Sequence, residues 1–509
     1  MSHYNARRLA KNTIALYART FVTLLISLYT SRIVLNTLGV EDFGVYNVVA
    51  GVVMLFVFLN SAMASGTQRF LNYEIGQGDS NRVNIVFSSS LKIHFLIAII
   101  ILLLSETIGL WFVNYKLVIP EGRMNAANWV YQFAILSTMI SLVQVPYMAS
   151  VIANEKMQIY AYVGLLEAVL KLVIVYLLVM LNYDKLILYA IMSFIVQLLV
   201  IIMYVSYCRK KFVECKYIKP KDKRLYKDML SFSSWNLFAS IATVSKGQGL
   251  NMILNLFFGP VVNAARAVSM SISGVTNQFV GGFMTAANPQ ITKTYSSGNK
   301  SEFEKLIFRS SKFAFYLLSL VTIPILAKTQ LILELWLVNP PQYSALFIQL
   351  VLIDALIVSV AFPLTSSAQA TGNIKRFHVT VTFFELLNLP VSYILLKLGY
   401  PPESVYVVTI LMSILALIAR LIVLRKLTNL PVKKFMFDIL LKCWVVFGLT
   451  FTLQHYINFH HTNVFITIIV TTVLSSLILL FLIYLIGLNR DEKRDIYSMI
   501  QAKIKNKNE

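Results

Sequence analysis

Charge is scarce in this chain and unevenly signed: 13% of its 509 residues are Asp, Glu, Lys or Arg, and 45 basic residues stand against 23 acidic ones. Soluble globular chains carry roughly twice that charge, which excludes a string of soluble domains. Cysteine is nearly absent. Cys208, Cys215 and Cys443 all fall on the side read below as cytoplasmic, or at its membrane border, so a structural disulfide is not expected. Long polar segments are missing apart from roughly 209–228, 291–307 and 488–509. There is no Walker sequence, no nucleophile elbow and no zinc-ligand spacing. Gly76-Gln77-Gly78 and Gly247-Gln248-Gly249 lack the strand–turn–helix setting of a phosphate loop, and His460-His461 stand without further ligands. No cofactor and no metal is expected, and the energy for any transport comes from an ion gradient or the membrane potential rather than bound ATP.

What is present is hydrophobic length. Apolar residues make up 57% of the chain, and the mean hydropathy is +0.70. They fall into runs of about 18 to 30 residues, each long enough to cross roughly 30 Å of hydrocarbon as a helix. The runs lie near 12–37, 43–66, 86–113, 127–151, 158–181, 186–207, 229–256, 261–290, 308–327, 343–367, 376–397, 403–424, 434–456 and 463–487. The expected class is an all-α polytopic membrane protein of about fourteen transmembrane helices. Pro146, Pro363 and Pro390 fall inside spans, where neighbouring helices can satisfy the carbonyls they free.

The net charge of +22 invites a nucleic-acid reading, but its distribution excludes one. Basic residues crowd alternate loops, from Arg7, Arg8 and Lys11 through the lysine-rich 209–228 to the tail, whereas the intervening loops hold Lys116, Arg123, Lys185, Lys328 and Lys397. Under the positive-inside rule both termini are cytoplasmic, and the first apolar run serves as a signal anchor rather than a cleaved leader. The basic excess faces membrane lipid.

Two stretches about 218 residues apart repeat one another. Pro146, Ala153, Glu167 and Tyr176 answer to Pro363, Ala370, Glu385 and Tyr393; Leu38-Gly39 answers to Phe258-Gly259, and the run around Phe87 to that around Phe308. Such duplication marks transporters built from two structural repeats. The expected organisation is an N-terminal lobe of six spans at 1–208, a basic linker at 209–228, a similar C-terminal lobe at 229–427, appended spans at 428–487 and a tail at 488–509. The two six-helix lobes enclose a central cavity.

A charge at mid-bilayer costs about 3 kcal/mol on insertion scales, so each one is a functional candidate. Arg32, Lys246 and Arg266 fall in the extracytoplasmic half or midplane of spans 1, 7 and 8, where they are expected to form a cationic chamber for an anionic substrate. Glu167 and Lys171 stand four apart in the order that favours pairing. Glu385, the repeat counterpart of Glu167, has Leu389 at that spacing and so lacks such a partner; Asp354 sits mid-span. These four are candidates for coupling to H+ or Na+. Arg19 and Arg420 lie nearer cytoplasmic span ends and are expected to snorkel.

The stretch Ser31-Arg32-Ile33-Val34-Leu35-Asn36-Thr37-Leu38-Gly39-Val40-Glu41-Asp42-Phe43-Gly44-Val45-Tyr46 resembles the first loop of the polysaccharide-transporter branch of the multidrug, oligosaccharidyl-lipid and polysaccharide exporter superfamily. Gly247-Gln248-Gly249 and Phe258-Gly259-Pro260 are similar to the family pattern in its second half. The resemblance implies alternating access between inward-open and outward-open states in the bacterial inner membrane. The implied substrate is an O-antigen or capsular repeat unit on undecaprenyl diphosphate, with polysaccharide-assembly proteins as partners. Arg266, in Asn263-Ala264-Ala265-Arg266-Ala267, resembles the span 8 cavity arginine of the related lipid II flippases, and Arg32 lies near their span 1 arginine. Those flippases keep further basic residues on span 2, whereas this chain has none between Phe43 and Gln68. Two other readings remain open: an ion-coupled drug or metabolite exporter of the same superfamily, which predicts a cavity of carboxylates and aromatics, and a membrane glycan polymerase, which predicts a larger extracytoplasmic loop than any here.

Overall fold

The computed structural model describes residues 3–55, 66–68, 70–71, 74–75, 77, 79–154, 156–181, 183–219, 222–230, 244–296, 298–371, 375–457, 459, 462–490 and 492–494. Their side chains are described from residue 22 onward, except at 24, 157, 282, 285, 286, 289, 292, 293 and 296. The end of expected span 2, the first part of expected span 7, Arg69, His460-His461 and the tail beyond 494 lie outside the described residues.

Among the described residues the regular structure is helical throughout, with no strand. Lipid explains this, since it offers no partner for a free N–H or C=O and a helix satisfies both within one segment. The elements are α1 (His3–Met54), α2 (Ser80–Tyr115), α3 (Met124–Ala153), α4 (Met157–Met180), α5 (Lys185–Lys211), α6 (Leu250–Phe258), α7 (Pro260–Ser296), α8 (Lys300–Ala327), α9 (Thr329–Trp336), α10 (Ser344–Ala370), α11 (Lys375–Lys397), α12 (Ser404–Thr428), α13 (Val432–Ile457) and α14 (Val464–Gly487).

Eleven helices among the described residues are long and apolar enough to cross a membrane. The expected fourteen differ from these at three places. Spans 1 and 2 are two arms of α1, bent at Gly39; span 7 lies partly outside the described residues; and α7 carries Asn263, Arg266, Asn277, Gln278, Asn288 and Gln290 along its length. The expected loop at 328–342 contains the short helix α9.

The backbone repeats where the sequence does. Gly39 has φ 80° and ψ 170°, and Gly259, between α6 and α7, has φ 74° and ψ −171°, a region that only glycine enters without strain. Pro146 and Pro363 each lie seven residues before the end of their helix, at Ala153 and Ala370.

The chain divides into two compact units. The first comprises Met1–Ala267, Leu337–Tyr343 and Leu389–Pro402; the second comprises Val268–Trp336, Ser344–Asn388 and Glu403–Glu509. Residues 209–228 fall within the first unit. Its interior is built from α2, α3 and α5, with Phe87 edge-on to Tyr147 at 5.2 Å and Leu142, Val200 and Tyr204 packed around them. In the second unit Leu356, Val360, Leu421, Phe435 and Val446 form the core, and Phe308 meets Phe435 at 5.3 Å. On α14, by contrast, Phe465, Ile469, Val473, Leu477 and Phe481 are each more than half exposed. A stripe of that kind, recurring every four residues, is stable against acyl chains and not against water. The molecule is a multi-pass membrane protein.

Candidate functional site

In the first unit two of the charged candidates, Lys246 and Arg266, adjoin a break in helix geometry. Residues Ser245–Gly249 form a π turn leading into α6, which loosens the carbonyl ladder there. The Gly247 carbonyl accepts a 2.9 Å hydrogen bond from Nη2 of Arg266, one turn into α7, and Arg266 is only 5% exposed. Lys246 is half-buried beside that carbonyl and makes no ion pair among the described residues. The structure thus brings the Lys246 and Arg266 segments together. Arg32 lies elsewhere, half-buried on the first arm of α1, in a cavity of about 190 Å³ shared with Leu35, Asn36, Gly39, Val40, Val338 and Asn339. Neither Lys246 nor Arg266 lines it.

Beneath the two cations runs a ladder of buried amides that the sequence reading did not single out. Asn263 Nδ2 donates to Asn251 Oδ1 and to the Asn251 carbonyl, both at 2.7 Å. Asn255 Nδ2 donates to Asn263 Oδ1 at 3.0 Å and to the Val118 carbonyl at 3.2 Å, while Asn255 Oδ1 accepts from the Val118 N–H at 2.8 Å. Asn251 Nδ2 reaches the Asn47 carbonyl at 3.2 Å. A signal was available, because Asn251 and Asn255 stand four apart on one face of an apolar helix, where an amide must find a partner. Glycine allows the approach: a Cβ on Gly44 would sit 2.0 Å from the Pro260 carbonyl oxygen, and one on Gly51 2.7 Å from Gln248 Oε1.

At one end of this unit Arg123 ties three helices. It donates to Asp42 on α1 at 2.8 and 2.6 Å and to Asp184, the N-cap of α5, at 2.5 and 3.1 Å. Asp184 also accepts the Leu186 and Ile187 N–H groups, at 3.0 and 3.2 Å. Burial alone would raise its carboxyl, but Arg123 and the two N–H groups together hold it below the usual carboxylate range.

The coupling candidates separate into two places. In the first unit Lys171 donates to Glu167 on the same helix at 2.6 Å. In the second, Glu385 on α11 pairs with Arg420 on α12 at 3.4 Å, and the charge of Asp354 on α10 acts on the same guanidinium. This corrects two expectations. Glu385 does have a cationic partner, supplied by another helix because Leu389 fills the place on its own, and Arg420 does not snorkel: its side chain is 12% exposed and turned to that carboxylate.

A second buried pair was missed altogether. Lys312 on α8 is fully buried, with Nζ 2.7 and 3.1 Å from the carboxylate oxygens of Glu492, just beyond α14. Glu492 also accepts the Asn489 N–H at 2.8 Å. Aligning Phe87 with Phe308 puts Leu91 opposite Lys312, so the repeat carries an apolar residue where the appended helices bring a carboxylate. Cys208, Cys215 and Cys443 are buried free thiols.

Comparison with known proteins places this architecture. The MatE family profile matches residues 237–394. The fold is that of a lipid II flippase, MurJ, in an inward closed conformation, at a TM-score of 0.67 and 15% identity over 92% of this chain and 98% of that one. It is equally that of a multidrug resistance MATE family transporter in an inward-facing conformation, with a TM-score of 0.66 and 16% identity over 83% and 98%. A transporter of the MOP superfamily from Pyrococcus furiosus, described as having a binding pocket of reversed polarity, matches at 0.60 and 13% identity over 84% and 96%. No curated protein matches the chain by sequence.

Proposed function

We propose that this chain is a transporter of the MOP superfamily, not an enzyme, and that it flips an oligosaccharide linked to undecaprenyl diphosphate across the bacterial inner membrane by alternating access. Both termini lie in the cytoplasm, and polysaccharide-assembly proteins receive the product. The observation that carries the reading is a buried arginine, Arg266, held by the carbonyl of Gly247, the residue next to half-buried Lys246. Like charges confined in a low dielectric repel, and a diphosphate binding between them relieves the repulsion while replacing its own lost hydration. Arginine's planar fork suits phosphate oxygens. Arg32 adds a third cation in the same unit. Asp354 and Glu385 around Arg420 supply the groups through which H+ or Na+ drives the cycle, with the Glu167–Lys171 pair a further candidate.

The same carboxylates favour one alternative, an exporter that exchanges cationic drugs or metabolites for ions. Loss of Arg266 separates the two. Arg266→Ala abolishes export of surface polysaccharide while the protein stays inserted and abundant, and Arg266→Lys restores part of it; unchanged surface glycan in the alanine variant removes this residue from the mechanism.

A further inference from the structure

At one end of the second unit lies a cavity of about 640 Å³, lined by Gln290 and Thr294 of α7, the α8 cap Asn299, and Ser301, Glu302, Leu306, Lys305 and Arg309 of α8. It occupies the side that the positive-inside rule assigns to the cytoplasm. Lys305 and Arg309 stand one turn apart on a single helix face, the first exposed and the second half-buried. The acid in the lining, Glu302, faces them with a charge already engaged by Asn299 Nδ2 at 3.1 Å. The neighbouring acid Glu304 is paired with Lys434 at 3.2 Å.

The first unit contains a counterpart at the start of α2, about 470 Å³ in volume, and its electrostatics are inverted. Arg82 and Arg224 are outnumbered there by Glu74, Asp222 and Asp228, and Arg82 is bound to Asp222 at 3.0 Å and lies 3.9 Å from Glu74. The caps differ in the same sense: Asp79 in the first, the neutral Asn299 in the second. The lining in the first unit holds two basic residues against three acidic ones, and that in the second holds two against one, among amide and hydroxyl groups.

We propose that the cavity at the start of α8 binds a phosphate or diphosphate group, with Lys305 and Arg309 as its cations and Ser301, Thr294 and Gln290 as hydrogen-bond partners. The lipid-borne form of this ligand rests on the flippase reading, for which the cavity is a first docking place on the cytoplasmic face; the free anion does not. The cavity is open to water, so its affinity falls as salt rises.

The test uses the purified full chain in two arms: inorganic pyrophosphate added to protein in detergent, and nanodiscs containing a polyprenyl diphosphate. Replacing Lys305→Gln and Arg309→Gln together weakens binding about tenfold or more, the loss of two charge-assisted contacts. Glu302→Gln tightens it by about twofold to threefold, because it removes a repelling charge that is partly screened. Arg82→Gln, in the counterpart cavity, leaves it unchanged. Dependence on Lys305 and Arg309 in the nanodisc arm alone identifies a lipid headgroup, and dependence with pyrophosphate identifies the free anion. Equal binding by the double variant in both arms overturns the proposal, as does a loss in Arg82→Gln as large as its own. In an Arg266→Ala background, which removes the contribution of the first-unit cations, the loss on replacing Lys305 and Arg309 persists at the same size, so a failure of the flippase reading is distinguishable from a failure of this one.

Discussion

The first unit buries a run of neutral amides and the second a fully enclosed ion pair, although each also holds a contact of the other kind, Arg123 with Asp42 in the first and Asn388 with Thr409 in the second. In the first, Asn251, Asn255 and Asn263 form a neutral ladder that runs through backbone carbonyls of Asn47 and Val118. In the second, charges pair inside the helical core, Lys312 with Glu492 and Arg420 with Glu385. The difference is one of cost. A neutral amide contact contributes about 0.5 to 1.5 kcal/mol and can be exchanged for water at little loss, whereas breaking one side of a buried ion pair strands a charge.

Substitutions break this contrast in a definite order. Lys312→Met alone, or Glu492→Leu alone, lowers stability by about 3 to 5 kcal/mol, and the double substitution recovers most of the loss because neither charge is stranded. Thermal unfolding of the purified protein reads both, and two additive losses contradict the pairing. Gly44→Ala comes next: its Cβ would meet the Pro260 carbonyl at 2.0 Å, and the overpacking costs about 1 to 3 kcal/mol. Asn263→Ala has a similar cost, since Asn251 and Asn255 both lose a partner. Here an unfolding temperature equal to that of the parent counts against the ladder. The smallest effect is a matter of pH. Because the Asp184 carboxyl is depressed in the folded state, its contribution is complete above the unfolded value of about 3.9 and fades as pH falls through the lower folded value. Asp184→Asn therefore flattens the acid limb of a stability profile below about pH 4, and a limb of unchanged steepness contradicts the Arg123 contact.

Most helix positions were legible because lipid enforces them through length and hydropathy, whereas the short helix α9 was expected as loop and the two arms of α1 as separate helices. The glycines were legible as well, since Leu38-Gly39 and Phe258-Gly259 lie at equivalent places and both need a backbone that other residues resist. Partners were not. Glu385 had no counterpart on its own helix, and nothing in its surroundings in the chain points to Arg420, thirty-five residues on. Lys312 reads as an ordinary basic residue near a span end until Glu492, 180 residues later, is folded against it. Within a helix the spacing fixes who can meet, as with Glu167 and Lys171; between helices only packing decides.

If the cations of the first unit act on an anionic lipid headgroup, as proposed, the decisive experiment places purified protein in liposomes whose inner leaflet carries a fluorescent polyprenyl-diphosphate oligosaccharide and measures its appearance outside under an imposed ion gradient. Appearance with the parent chain and none with Arg266→Ala is the predicted result. Equal rates for the two, or movement of a cationic dye in place of the lipid, contradicts the account.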